Sequence, residues 1–181
     1  MWEKIKEKIK NFFSIKNNKN LIFTVILACV VVLSIIIDQI TKLIVSSKMA
    51  IYDSIPIIKN VLHITYIQNE GAAFGMLADH RWVFMVLSTV AIIGIAIYLF
   101  GFCKENRFVK IGLALVIGGG IGNMIDRIVL GYVVDMIDCR FINFYIFNVA
   151  DSCVCVGAGL IILGIILAIV KEKKSTNKEE K

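Results

Sequence analysis

Proline is nearly absent from this 181-residue chain, with one copy, and histidine has two. Charge is also scarce, at 19% of residues against 58% hydrophobic. Each shortage excludes something. Without CxxC spacing, and with only His63 and His80 to assist five cysteines, a structural metal site has no ligand set. Cys153-Val154-Cys155 places its two thiols on different helix faces, so these cysteines read as small residues in apolar helices. No metal and no cofactor are expected. The net charge of +6 does not describe a nucleic-acid groove. Of 20 Lys+Arg, eleven lie in residues 1–19 and 171–181, as a basic fringe beside apolar runs. Nucleic acid is therefore not an expected partner.

What the chain has instead is long uncharged segments. Ordinary globular chains are about 45–50% apolar. Four runs are long enough to cross a bilayer, at about 20–45, 82–103, 110–128 and 150–170. The fold class expected is an all-α integral membrane protein of four transmembrane helices, with a small extracytoplasmic β-rich segment between helices 1 and 2. The chain is one membrane-embedded domain, 1–181, with a Lys-rich lead-in at 1–19 and a tail at 171–181. The start mimics a lipoprotein signal peptide, with Ile26-Leu27-Ala28-Cys29 in an apolar run. Val30 to Ile37 stays apolar where a cleaved precursor would turn polar, so the segment reads as a span.

Between spans one and two, residues 46–80 contain Val61-Leu62-His63-Ile64-Thr65-Tyr66-Ile67-Gln68. This alternating, β-branched and aromatic run reads as strand. Turn formers follow at Asn69-Glu70-Gly71. Residues 129–146 read as a partly apolar loop. In the third span, Gly118 and Gly122 have the small-xxx-small spacing that admits a close neighbouring helix. The N-terminus, the 103–110 loop and the C-terminus carry 6, 3 and 5 Lys/Arg, so both termini are expected in the cytoplasm. Asp38, Asp126, Asp135, Asp138 and Asp151 then all fall near the outer face.

Acids among apolar residues lose their hydration and read as functional. Asp38 and Lys42 are i, i+4, and Asp126 adjoins Arg127, so ion pairs that orient helices account for those four. Asp138 has Arg140 two residues on and reads as solvated surface. Asp135, after Val133-Val134, and Asp151, before a long uncharged run, have no cation near in sequence. Should they meet, one keeps a proton while the other ionises, which suits aspartic-protease chemistry. Spacing alone leaves a proton relay or ion path equally open, with a structural assembly role as a third reading.

The ordered set Asp38-x-x-x-Lys42, Asn69-Glu70-Gly71-Ala72-Ala73-Phe74, Gly122-Asn123-x-x-Asp126-Arg127, Val133-Val134-Asp135 and Phe147-Asn148-x-Ala150-Asp151 resembles the bacterial lipoprotein signal peptidase family, signal peptidase II. The resemblance runs from about residue 20 to 170. It implies an intramembrane aspartic endopeptidase that removes signal peptides from prolipoproteins, cutting before the diacylglyceryl-modified cysteine at the outer face of the bacterial plasma membrane. It implies catalytic Asp135 and Asp151, supported by Asp38, Lys42, Asn69, Gly71, Asn123, Asp126, Arg127 and Asn148. Expected partners are lipidated prolipoproteins and membrane lipid, with the enzyme a monomer. Two departures bear on substrate contacts. Gln68 stands where members often carry Arg, and the 136–146 connector lacks the expected Trp and Pro.

Overall fold

The computed structural model describes residues 15–70, 81–142 and 144–179. Its elements, in order, are α1 (Ile15–Lys48), β1 (Ser54–Ile58), β2 (Leu62–Asn69), α2 (Arg81–Ile97), α3 (Arg107–Val129), β3 (Val133–Cys139) and α4 (Val149–Glu179). A π-helical turn, Tyr98–Phe102, finishes α2, and a 3-10 turn, Arg140–Ile142, follows β3. Four helices are long and apolar enough to cross a membrane: Asn20–Lys48, Met85–Phe102, Arg107–Val129 and Val149–Thr176. Residues 1–14, including most of the expected lead-in, and residues 71–80 lie outside the described residues. Residues 15–19, assigned to that lead-in, already belong to α1.

The third span is the hub. Its most apolar window is 44% buried, whereas those of α1, α2 and α4 are 6–11% buried and leave most of their Leu, Ile and Val surface to lipid. The glycines of α3 explain the asymmetry. A Cβ at Gly118 would lie 2.7 Å from the Ser34 side chain of α1, and one at Gly119 would strike the Ala150 carbonyl of α4. The small-xxx-small reading is thus realised: Gly118 and Gly122 both face α1. Leu27, Leu99, Ala114 and Ile117 form the apolar core at this crossing.

The sheet is antiparallel, in the order β1-β2-β3. This corrects the reading of 129–146 as loop. Strand β3 supplies the third strand, aligned along β2 from Leu62↔Cys139 to Asn69↔Val133. The reason is long-range pairing: β3 finds its partner before α2, not in a neighbouring hairpin. The connector folds back as well, with Phe147 N–H donating to the Ile137 carbonyl at 3.1 Å and Ile137 N–H to the Phe147 carbonyl at 2.7 Å. Val45 of α1 packs with Tyr66, Val134 and Met136, which seats the sheet on the end of α1. Gly131 permits the tight passage from α3 into β3. Its φ is +88°, and its N–H reaches back to the Asp126 carbonyl at 3.2 Å, a left-handed helix stop.

Candidate active site

Chain geometry brings the sequence-predicted polar residues to one end of the bundle. Asn148 immediately precedes α4, and Asp151 is its third residue. The two cap each other: Asn148 Oδ1 accepts the Asp151 N–H at 2.9 Å, and Asp151 Oδ2 accepts the Asn148 N–H at 3.2 Å. This reciprocal box satisfies two N–H groups that a helix start leaves open, and it puts a carboxylate at the positive end of the helix dipole. Asp151 Oδ1 also accepts from Asn123 Nδ2 of α3 at 2.7 Å.

Strand β3 brings Asp135 to the same place. Its carboxylate accepts Asn148 Nδ2 at 2.7 Å and Asn69 Nδ2, from the end of β2, at 2.9 Å. Asn148 therefore touches both aspartates. Asp135 is 3% exposed. Burial, and secondarily the nearby Asp151 charge, push its carboxyl up to about 6, against the opposing hydrogen bonds from Asn69 and Asn148.

Behind the pair lies a buried ionic cluster. Lys42 Nζ lies 2.8 Å from Asp38 Oδ2 and 3.0 Å from Asp126 Oδ2, and donates to Asn123 Oδ1 at 2.9 Å. These three acceptors use all three ammonium protons, as an ion pair removed from water requires. The Asp38–Lys42 pair is as the spacing implied. Asp126 also takes an ion pair from Lys42 of another helix, a partner that its adjacency to Arg127 did not indicate. Arg127 donates to the Asn123 carbonyl at 3.3 Å and lines the same cavity as Asp135 and Asp151.

That cavity, of about 750 Å³, opens between β2, the connector and α4. Asn69, Asn123, Arg127, Asp135 and Asp151 line its polar side. Ile67, Phe144, Ile146, Phe147 and Val154 make an apolar wall. Gln68 lines it too, and donates to Tyr66 Oη at 2.8 Å. A cleft with two communicating carboxylates at its polar end can hold a peptide bond and a water between them. Gly71, expected among the supporting residues, lies outside the described residues.

Two features escaped the sequence reading. Gln39, one residue past Asp38, joins the cluster by donating to Asp126 Oδ1 at 2.9 Å; only its place beside an apolar-embedded acid hinted at this. Asp138 is buried, not solvated. It accepts Arg140 Nε at 2.9 Å and Thr65 Oγ1 at 2.8 Å, inside the sheet and away from the cavity lining. Burial pushes its carboxyl up, but these bonds and the Arg140 charge outweigh that and leave it lowered.

Comparison with known proteins bears on what this arrangement does. The family model described as Signal peptidase (SPase) II matches residues 30–167. A lipoprotein signal peptidase of Halothermothrix orenii is 48% identical over 134 residues, which is 74% of this chain and 90% of that protein. One of Bacillus subtilis is 43% identical over 147 residues, covering 80% of this chain and 96% of its own. A solved bacterial membrane enzyme, determined by the in meso method at 2.3 Å, superposes with a TM-score of 0.73 at 35% identity, over 86% of this chain and 92% of that one.

Proposed function

The chain belongs to the signal peptidase II family, and from that premise we propose that Asp135 and Asp151 are the catalytic pair of its prolipoprotein-cleaving reaction. It is an aspartic peptidase of the membrane that removes the signal peptide from prolipoproteins. The single observation that supports the assignment is Asn148, whose side-chain amide donates to Asp135 at 2.7 Å while its backbone N–H donates to the Asp151 carboxylate at 3.2 Å.

The chemistry follows from the environments of the two acids. The pair acts as a singly protonated unit, because two adjacent carboxylates do not both ionise cheaply. Asp151 faces the N-terminal end of α4 and Asn123, a placement that suits it to act as the base of the pair. The pair's proton rests on Asp135, buried against β2. Asp151 takes a proton from water, and the water oxygen attacks the scissile carbonyl. Asp135 donates a hydrogen bond to that oxygen as it gains charge. When the tetrahedral intermediate collapses, the C–N bond breaks and a proton passes from the pair to the departing amine.

Asn69 and Asn148 hold Asp135, and Asn123 holds Asp151, while Asp38, Lys42 and Asp126 fix the elements that carry them. Arg127 faces the cavity as its cationic group. The apolar wall suits the apolar residues and lipid that precede and decorate the cut. The enzyme works as a monomer in the bacterial plasma membrane with both termini cytoplasmic, so that the site lies at the outer leaflet where the diacylglyceryl group stays in lipid.

Asp135→Asn and Asp151→Asn, inserted in membranes and folded, are each expected to lose at least about 10⁴-fold in turnover of a lipidated prolipoprotein. Near-normal turnover by either variant overturns the pair.

A further inference from the structure

Each proposed catalytic aspartate follows a residue whose backbone N–H is pinned by a buried carboxylate. Val134 N–H, just before Asp135, donates to Asp126 Oδ2 at 3.0 Å. Ala150 N–H, just before Asp151, donates to Asp38 Oδ1 at 2.8 Å. The two pinning carboxylates come from different helices, α3 and α1, yet they converge on the same two side chains. One is Lys42. The other is Gln39, whose Nε2 donates to Asp126 Oδ1 at 2.9 Å and the Gly122 carbonyl at 3.1 Å, and lies 3.3 Å from Asp38 Oδ2.

The two side chains are not equivalent. An ammonium is a point charge with no fixed angle, so Lys42 neutralises the carboxylates without dictating their relative orientation. A primary amide is planar, and its two N–H bonds have a fixed spread. With the Gly122 carbonyl as a third reference on α3, the Gln39 amide fixes where Asp126 sits relative to Asp38. Through Val134 and Ala150 it thereby fixes where β3 sits relative to the start of α4.

We propose that Gln39 is a positioning residue that sets the spacing between Asp135 and Asp151. The proposal rests on the reading of those two as the catalytic pair. Among the described residues, the cavity lining does not include Gln39, so its effect runs through geometry and not through substrate contact. Two outcomes follow. Substrate affinity stays, while the chemical step slows, because a shift of order 1 Å in a catalytic group costs up to about a hundredfold. The two ionisations of the pair also move relative to each other, because their separation depends on how close the carboxylates lie.

The test uses the full chain in lipid and measures kcat, KM and the pH–rate profile. Gln39→Met keeps length and removes the donors. It is expected to lower kcat about ten- to a hundredfold with KM nearly unchanged, and to alter the width of the pH profile. Gln39→Glu can donate only when protonated, so its activity relative to the parent is expected to rise as pH falls. Thermal unfolding of the same preparations reports the folded fraction. A parental kcat and profile in the folded fraction of either variant overturns the positioning role. So does a Gln39→Glu ratio that is flat with pH. Failure of the catalytic pair itself is read separately, as activity retained by Asp135→Asn.

Discussion

Asp38 of α1 accepts the backbone N–H of Ala150 at 2.8 Å, across 112 positions of sequence. A fully buried carboxylate from the first helix thus satisfies one of the open N–H groups at the start of the last. Lys42 Nζ sits 2.8 Å from that carboxylate and is itself 3% exposed, so the buried acid has its partner beside it.

Removal of that cation tests how much the arrangement depends on it. Lys42→Met leaves Asp38 and Asp126 buried without their common counter-charge. Breaking a buried pair in this way costs about 3–5 kcal/mol. Thermal unfolding of the detergent-solubilised protein should show a large drop in midpoint, and a variant that unfolds within about 1 kcal/mol of the parent contradicts the buried-cluster account.

Gly122 gives a steric version of the same test. A Cβ there would lie 2.6 Å from Asp38 Oδ2 and 3.3 Å from the Ala150 side chain. Gly122→Ala should therefore displace Asp38 and destabilise by about 1–3 kcal/mol, with loss of activity. Gly94, also helical, has nothing within 4 Å of its would-be Cβ. Gly94→Ala should stabilise by about 0.5–1 kcal/mol through helix propensity alone. Equal effects of the two substitutions, by unfolding midpoint, would refute the packing argument.

Asp135 makes stability depend on pH with a defined sign. Its folded value, about 6, lies above the ordinary 3.8, so the folded state holds the proton more tightly. That contribution is complete below the unfolded value and is lost as pH rises through about 6, a change of about 3 kcal/mol. Asp135→Asn does not titrate. Its unfolding free energy relative to the parent should thus rise by roughly that amount between pH 4 and pH 8, above a constant offset from one lost acceptor. A pH-independent difference would show that burial does not perturb Asp135.

Asp138 lies only three residues on but belongs to a different network. Asp138→Asn should retain catalysis and lose stability on the order of 1–2 kcal/mol at neutral pH. Arg140 is 44% exposed, so solvent screens its share of the ion pair. With its carboxyl lowered, the parent's advantage is present above the unfolded value near 3.8 and fades as pH falls through the folded one. A turnover loss as deep as that of Asp135→Asn would overturn the proposed choice of Asp135 over Asp138.

Much of this was legible in the chain because the signals were local. The four spans are long apolar runs, Asp38 and Lys42 sit one turn apart, and Gly118 and Gly122 mark a close helix contact. Motif order singled out Asp135 and Asp151 as the proposed pair where spacing alone left other roles open. What stayed hidden depends on groups distant in sequence. Nothing beside Asp126 indicates that its cation is Lys42. Strand β3 alternates weakly and pairs with β2 across an entire intervening span, so Val133 to Cys139 reads as loop. Asp138 sits beside an arginine, which suggests a wet surface, and only the sheet shows Thr65 beneath it. Gln39 matters through its geometry, and composition carries no trace of that.

The β2–β3 pairing also has a consequence for the order of events during synthesis. The ribosome delivers α1 and β2 early, and β3 and the first turn of α4 late. A nascent chain ending before Asp135 carries Asn69, Asp38 and Lys42 but neither aspartate of the proposed pair. Meanwhile Asp38 and Lys42, one turn apart, neutralise each other within the bilayer. On the proposed assignment, such a chain has no cutting site of its own until β3 and the first turn of α4 have been made.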